Sequence, residues 1–219
     1  MDIKGIKSKF PIFKNKINGK SLIYLDSANS SQKPKTVIDR ISKFYSKEFS
    51  NIGRSVHSLA ITATNRFEET RDSIKKFINA KHREEIIFTK NATEAINLVA
   101  STYGDKFINE GDEILITELE HHANYVPWHF IRQKKRATIK FAKCNDKGEV
   151  DIDEIKKLIS NKTKIIAVTH LSNVTGAIMP IKKIVDLANK KKIPVLVDGC
   201  QGAPHLKIDM QELGCDFYA

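Results

Sequence analysis

Hydrophobic and polar positions follow two periods along this chain. From about Ile86 onward, short apolar runs rich in β-branched residues alternate with amphipathic stretches, the pattern of a mostly parallel sheet wrapped by helices. Runs at residues 85–88, 113–117, 138–141, 164–170 and 194–198 predict strands, and 216–219 predicts a last one. Between them, residues 93–103, 127–136, 151–159 and 181–191 predict helices. The last two place Ile152, Ile155 and Ile159, and then Ile181, Ile184, Val185 and Ala188, at helical spacing. Ahead of this alternation, Pro34 suits the first turn of a helix, and a longer helix carries Phe67, Arg71, Ile74 and Ile78 on one stripe. The fold class is α/β, with an α-rich front section. No internal repeat and no linker rich in Gly, Pro or Ser marks a boundary. Asp216-Phe217-Tyr218-Ala219 reads as the start of a buried strand with no turn residue, cap or polar tail after it. The polypeptide is therefore read as stopping within an element.

Composition narrows the class. A chain of 219 residues suits one sizeable domain, with 41% hydrophobic and 29% charged residues, as in a globular protein. The three cysteines, Cys144, Cys200 and Cys215, are odd in number and form no Cys-x-x-Cys pair. That excludes a disulfide framework and a zinc ribbon and predicts reduced thiols in a cytoplasmic compartment. No apolar run approaches the roughly 20 residues of a bilayer span. Residues 1–20 lack the apolar stretch of a secretory signal and are read as part of the mature protein. Lys and Arg number 37 against 26 Asp and Glu, giving +11. The basic clusters, such as Lys134-Lys135-Arg136 and Lys190-Lys191-Lys192, fall on predicted helices without interleaved aromatics, which fits solvated faces or an anionic small molecule. Neither a nucleic-acid partner nor a membrane is expected.

The Gly-x-Gly-x-x-Gly, Walker, Gly-x-Ser-x-Gly and His-Glu-x-x-His patterns are absent. Glu120-His121-His122 with His129 is the nearest approach to a metal set, but adjacent side chains diverge, so no metal is expected. Four positions lie where a strand ends or a helix begins, where open α/β sheets hold ligands. Asn91-Ala92-Thr93-Glu94 opens a helix, either as a phosphate cradle or as plain capping. Val195 to Gly199 delivers the Asp198 carboxylate to a strand end, either to hold a heterocyclic nitrogen protonated or to shape an Asp-Gly turn; Gln201 lies three residues on. His121 follows a strand, as a ring-stacking or proton-moving group or as a buried structural histidine. His170-Leu171-Ser172-Asn173 ends another strand, with Asn173 facing a ligand or forming a turn.

These segments together resemble the class V aminotransferase group of pyridoxal-phosphate enzymes, and within it the Suf-type cysteine desulfurases. The resemblance rests on Tyr24-Leu25-Asp26-Ser27-Ala28 with Gln32-Lys33-Pro34, Arg54 and His57, and Asn91 to Val99. It continues in Glu120 to Asn124 with Val126-Pro127-Trp128, His170 with Ser172-Asn173-Val174, and Val195 to Gly199 with Gln201, in the family's order and spacing. It implies a fold type I large domain, a mostly parallel sheet flanked by helices, here incomplete. Residues 1–60 would contribute to a small domain and the active-site edge, and 61–219 would form a partial cofactor-binding domain.

The resemblance further implies pyridoxal 5'-phosphate as cofactor. Ala92 and Thr93 would hold its phosphate, His121 would stack on the ring as the catalytic histidine, Asp198 would pair with the ring nitrogen, and Asn173 and Gln201 would contact the phenolic oxygen. The implied activity takes sulfur from L-cysteine, leaving alanine, and passes it through a sulfur-acceptor protein to iron-sulfur cluster assembly, in a homodimer. Gly53, Ser55, Asn29 and Cys200 depart from the family pattern without removing a cofactor contact. The family's cofactor-binding lysine, in a Ser-Gly-His-Lys segment, its persulfide cysteine and its substrate-carboxylate arginine have no counterparts here. The expectation is of an inactive, poorly folded half, with a selenocysteine lyase, one half of a split enzyme, or a non-catalytic remnant as the rival readings.

Overall fold

The computed structural model describes residues 2–219. Two compact units divide the chain, one ending at Ser73 and the other running from Ile74 to Ala219.

The first unit opens with α1 (Ile3–Ser8), capped by Asp2, whose side chain accepts from the Gly5 N–H. A two-stranded hairpin follows, β1 (Lys16–Ile17) against β2 (Lys20–Ser21). Asn18 and Gly19 join these strands with φ of 52° and 76°, the left-handed conformation that a two-residue hairpin turn demands. Helix α2 (Lys35–Lys43) starts after Pro34 and widens into a π-type turn at Phe44–Glu48. Glu48 is buried there among three cations, with Arg40 at 3.0 Å, Arg66 at 3.3 Å and Lys43 at 3.7 Å. Helix α3 (Ser58–Phe77) is the longest, and the division between the units falls within it.

The second unit alternates strand and helix. Helices α4 (Ala92–Val99) and α5 (Asp105–Phe107) precede β3 (Glu113–Thr117). Then come α6 (Val126–Lys135), β4 (Thr138–Ala142), α7 (Ile152–Leu158), β5 (Thr163–Thr169), α8 (Ile181–Asn189) and β6 (Val195–Asp198), followed by α9 (Gly202–His205), α10 (Met210–Leu213) and β7 (Phe217–Tyr218). The five strands β3 to β7 pair in parallel in the order β4-β3-β5-β6-β7. This is the parallel sheet of the sequence reading, and its strands and helices begin and end within one or two residues of most predicted limits.

Burial on both faces explains the continuous apolar runs. Leu115, Ile166, Val168, Val195 and Val197 point to one side and pack with Ile155 of α7 and with Ile181, Ile184, Val185 and Ala188 of α8. Ile114, Ile116, Ile165, Ala167 and Leu196 point to the other and pack with Ile96 of α4 and with Trp128 and Ile131 of α6. Successive strand residues thus feed opposite layers, as a two-residue period requires.

Two expectations need correction. Residues 85–88 are not a strand: Arg83–Glu85 is a 3-10 turn, after which Ile86 is extended and residues 86–89 form no strand of the sheet. Ile86, Ile87 and Thr89 instead line, with Phe217 and Tyr218 of the edge strand β7, an apolar cavity of about 390 Å³, which Ile78, Leu98 and Val99 also line. The helix predicted over residues 93–103 stops as a regular α-helix at Val99 and passes into a π-type turn at Ala100–Gly104. There Gly104 lies so close to Trp128 that a Cβ would sit 3.3 Å from the indole.

Candidate active site at the carboxyl edge of the sheet

Neighbouring strands β3, β5 and β6 end on one edge, and the segments leaving them carry the polar groups. Asp198 is the last residue of β6 and only 4% exposed. One of its oxygens accepts the Cys200 N–H at 3.0 Å. Burial raises its pKa above the usual carboxylate range, opposed by the Cys200 bond and by the nearby His121 imidazole.

His121 lies four residues past β3 and precedes the 3-10 turn His122–Asn124. Its Nδ1 accepts the Ala123 N–H at 3.1 Å, so the neutral ring carries its proton on Nε2, and the side chain is exposed at this edge. The structure brings His121 and Asp198 within electrostatic reach of each other.

Thr93 belongs to the first turn of α4. The Asn91 side chain caps that helix by accepting the Glu94 N–H at 2.9 Å. Among the described residues, no acceptor takes the N–H groups of Ala92 and Thr93. Asn91 thus caps the third N–H of the helix and leaves the first two without a protein acceptor. Helix α4 packs against the turn His122–Asn124, beside the segment bearing His121.

Asn173 is exposed on the loop leaving β5, which closes through Ser172 N–H to the Ala177 carbonyl at 2.9 Å and Gly176 N–H to the Ser172 carbonyl at 3.0 Å. Gln201 is half-buried immediately before α9, just past the end of β6. Both follow strand ends on the same edge as His121 and Asp198. Behind them, His170 is buried, donates its main-chain N–H to the Asp198 carbonyl at 2.8 Å, and pairs its Nδ1 with the Tyr218 hydroxyl at 3.1 Å. Burial lowers the His170 pKa and so favours its neutral ring.

Glu120 was not singled out in the sequence as a functional residue in its own right. Its carboxylate receives the Thr117 hydroxyl at 2.7 Å, the Thr169 N–H at 2.9 Å and the Asn124 amide at 2.6 Å. Burial nevertheless pushes its pKa up to about 7, against these three bonds, and the Asp198 charge adds to the rise. The only sequence signal was a glutamate three residues past a buried strand and next to buried Leu119.

A folded-state pKa raised from 4.5 to about 7 means that the native chain binds this proton more tightly than the unfolded one. The group's contribution to stability is therefore full below about pH 4.5 and is lost as pH rises to about 7. The Asp198 carboxyl faces Glu120, and His121 in turn faces Asp198. We expect wild-type stability, measured by urea unfolding between pH 4.5 and 8, to fall relative to Glu120→Gln across that window. Parallel profiles would contradict a Glu120 carboxyl whose proton the fold holds.

The sequence profile of the aminotransferase class-V family matches residues 23–219. A "Probable cysteine desulfurase" of Halalkalibacterium halodurans is 47% identical over 219 residues, covering 100% of this chain and 54% of the relative. A cysteine desulfurase of Wigglesworthia glossinidia brevipalpis is 49% identical over 217 residues, covering 99% and 53%. The apo structure of a cysteine desulfurase from Thermococcus onnurineus NA1 superposes with a TM-score of 0.91 at 33% identity, over 99% of this chain and 52% of that one. The chain spans about half the length of the curated relatives it matches. With one family profile running from residue 23 to residue 219 over this parallel sheet, the chain belongs to the aminotransferase class-V family.

Proposed function

We propose that this chain is the cofactor-holding half of a cysteine desulfurase-like protein that uses pyridoxal 5'-phosphate. The observation that carries the reading is the buried Asp198 carboxylate at the end of β6 with the His121 imidazole in electrostatic reach. A carboxylate shielded from water favours a cationic partner, and a protonated pyridine nitrogen is such a partner. The other residues fit the rest of the group. The unclaimed N–H groups of Ala92 and Thr93, with the Thr93 hydroxyl, suit a phosphate at the start of α4. The exposed His121 imidazole is a flat face for a ring, and Asn173 and Gln201 bring amides for its phenolic oxygen.

When bound, the cofactor supplies an electron sink for charge developing at a substrate α-carbon. Asp198 would keep the proton on the ring nitrogen, because removing it would leave a buried carboxylate without its cation. Thr93 and the helix start would fix the phosphate end, and His121 would exclude water from one ring face.

The relatives bearing the name cysteine desulfurase support L-cysteine as substrate. The proposal extends to sulfur delivery to an acceptor protein for iron-sulfur cluster assembly, to a homodimer, and to a cytoplasmic location. Among the described residues no helix is long and apolar enough to cross a membrane. It also assigns residues 1–60 to a small domain and the site's edge and 61–219 to the cofactor domain. Turnover would need the lysine, cysteine and arginine that the family pattern supplies from elsewhere, so this chain alone is expected to release neither sulfide nor alanine from cysteine.

The test is equilibrium dialysis of the full chain against pyridoxal 5'-phosphate, followed by absorbance. Reversible retention is expected. Asp198→Ala and Thr93→Ala should each weaken it roughly 10- to 100-fold, the worth of one hydrogen bond to a charged group. Retention that neither substitution changes, or no retention at all, would remove the proposal.

A further inference from the structure

One carboxylate at this edge touches three separate elements. The Glu120 side chain takes a hydrogen bond from Thr117 at the end of β3, from the Thr169 main chain at the end of β5, and from Asn124 in the turn before α6. Asn124 is itself fully buried, and its carbonyl oxygen accepts the Trp128 indole N–H at 3.1 Å. Each donor is already committed in direction. The Thr169 N–H is fixed by its strand, and the Asn124 amide cannot flip without facing its NH2 to the Trp128 N–H. Glu120 therefore links two parallel strands to the start of α6, and the residue that follows it in the chain is His121.

We propose that Glu120 is the positioning residue of His121: by tying the ends of β3 and β5 to the turn His122–Asn124, it fixes the backbone that presents the imidazole at this edge of the sheet. The inference about His121's role toward a bound ring rests on the pyridoxal-phosphate reading above, whereas the tether itself does not. A glutamine at position 120 keeps the shape and one acceptor oxygen but turns an NH2 toward one of the three donors, so one contact becomes a repulsion. The backbone between β3 and the turn would then relax, and His121 with it.

The experiment uses the full chain without ligand and reads the His121 ring resonance by NMR, identified through His121→Ala, with His82 and His205 as references. Glu120→Gln should move the His121 resonance and leave the two references in place. Ile155→Val, which loosens the opposite layer, should lower stability without moving His121, so a merely structural role is separated. In the same samples Glu120→Gln should weaken pyridoxamine 5'-phosphate about 10-fold while leaving inorganic phosphate within about twofold. A folded Glu120→Gln chain whose His121 resonance matches wild type overturns the tether. If Glu120→Gln does not fold, Thr117→Val, which removes one of the three bonds, is read the same way, and an unmoved His121 there overturns it equally. Wild type that binds no pyridoxamine 5'-phosphate while His121 still moves in Glu120→Gln sinks the cofactor reading and leaves the tether standing.

Discussion

Gly199→Ala is expected to destabilise the chain by about 3 kcal/mol, at the upper end of the usual cost of overpacking a core. A Cβ on Gly199 falls well inside van der Waals contact with the Tyr218 ring carbons and hydroxyl. Neither side can yield cheaply. The Gly199 N–H is bound to the Ala219 carbonyl at 2.7 Å, and its carbonyl accepts the Ala203 N–H at 2.8 Å. Tyr218 is paired to Val197 in the sheet and held by its hydroxyl to His170. Gly202 presses from the other side, where a Cβ would lie 2.8 Å from His170 Nδ1 and 2.9 Å from the Tyr218 hydroxyl. Glycine therefore stands after Asp198 because a tyrosine ring occupies the side-chain space, and not because of a left-handed φ, which Gly199 does not have. Urea unfolding should show the loss. In the Tyr218→Ala background the same substitution should cost at most about 1 kcal/mol, because the clash has been removed. Equal costs in both backgrounds would show that the ring is not the obstacle.

The sheet was legible because its two-face burial writes itself into the sequence: Ile165, Ile166, Ala167 and Val168 form one unbroken apolar run, and the strand built from them feeds both layers. The helices α7 and α8 were legible because Ile155, Ile181, Ile184, Val185 and Ala188 repeat at the helical period and all are buried. Residues 85–88 misled because a short apolar run rich in β-branched residues reports side chains to bury and does not by itself specify a place in a sheet. The regular end of α4 at Val99 was hidden since residues 100–103 continue the helical pattern, and the π-type turn is set by tertiary packing of Gly104 on Trp128. The short hairpin at Asn18-Gly19 carried a turn signal of its own, but strands of two residues leave no period to detect.

The candidate site was legible in its strand-end residues and illegible in what supports them. Asp198 and His121 stand where a parallel sheet presents ligands, so position and residue type together point to them. Glu120 and Tyr218 act through partners 48 or 49 residues away in the chain, Thr169 and His170 respectively. No local pattern encodes such pairs, because they depend on β5 lying beside both β3 and β6. This ordering also separates the buried Asp198 carboxyl from the half-buried Glu120 one. Asp198 has one main-chain donor and the His121 ring nearby, whereas Glu120 has three donors and the Asp198 carboxyl nearby, so a cation paired with Asp198 would also lessen the rise at Glu120.

Trp128→Ala is expected to have the largest effect of any single truncation, about 3–5 kcal/mol, because it removes the bulkiest fully buried side chain of the layer formed with Ile96, Ile114, Ile116 and Ile131. Against a typical total of about 5–15 kcal/mol, that leaves a chain at or near unfolding. The indole does two things that separate substitutions can resolve. Its volume fills the space between α4, α6 and the sheet, and its N–H satisfies the buried oxygen of Asn124, whose amide in turn bonds Glu120. Trp128→Phe keeps most of the volume and strands that oxygen, so it should cost about 1–3 kcal/mol. Adding Asn124→Leu to Trp128→Phe removes the stranded oxygen but also unties one donor of Glu120, so stability should partly recover while the His121 resonance shifts. Circular dichroism serves for the unfolding curves, since Trp128 is the single tryptophan and both substitutions abolish its fluorescence. A phenylalanine variant as unstable as the alanine variant would mean that the hydrogen bond to Asn124, rather than the packed volume, is the larger part of what Trp128 contributes.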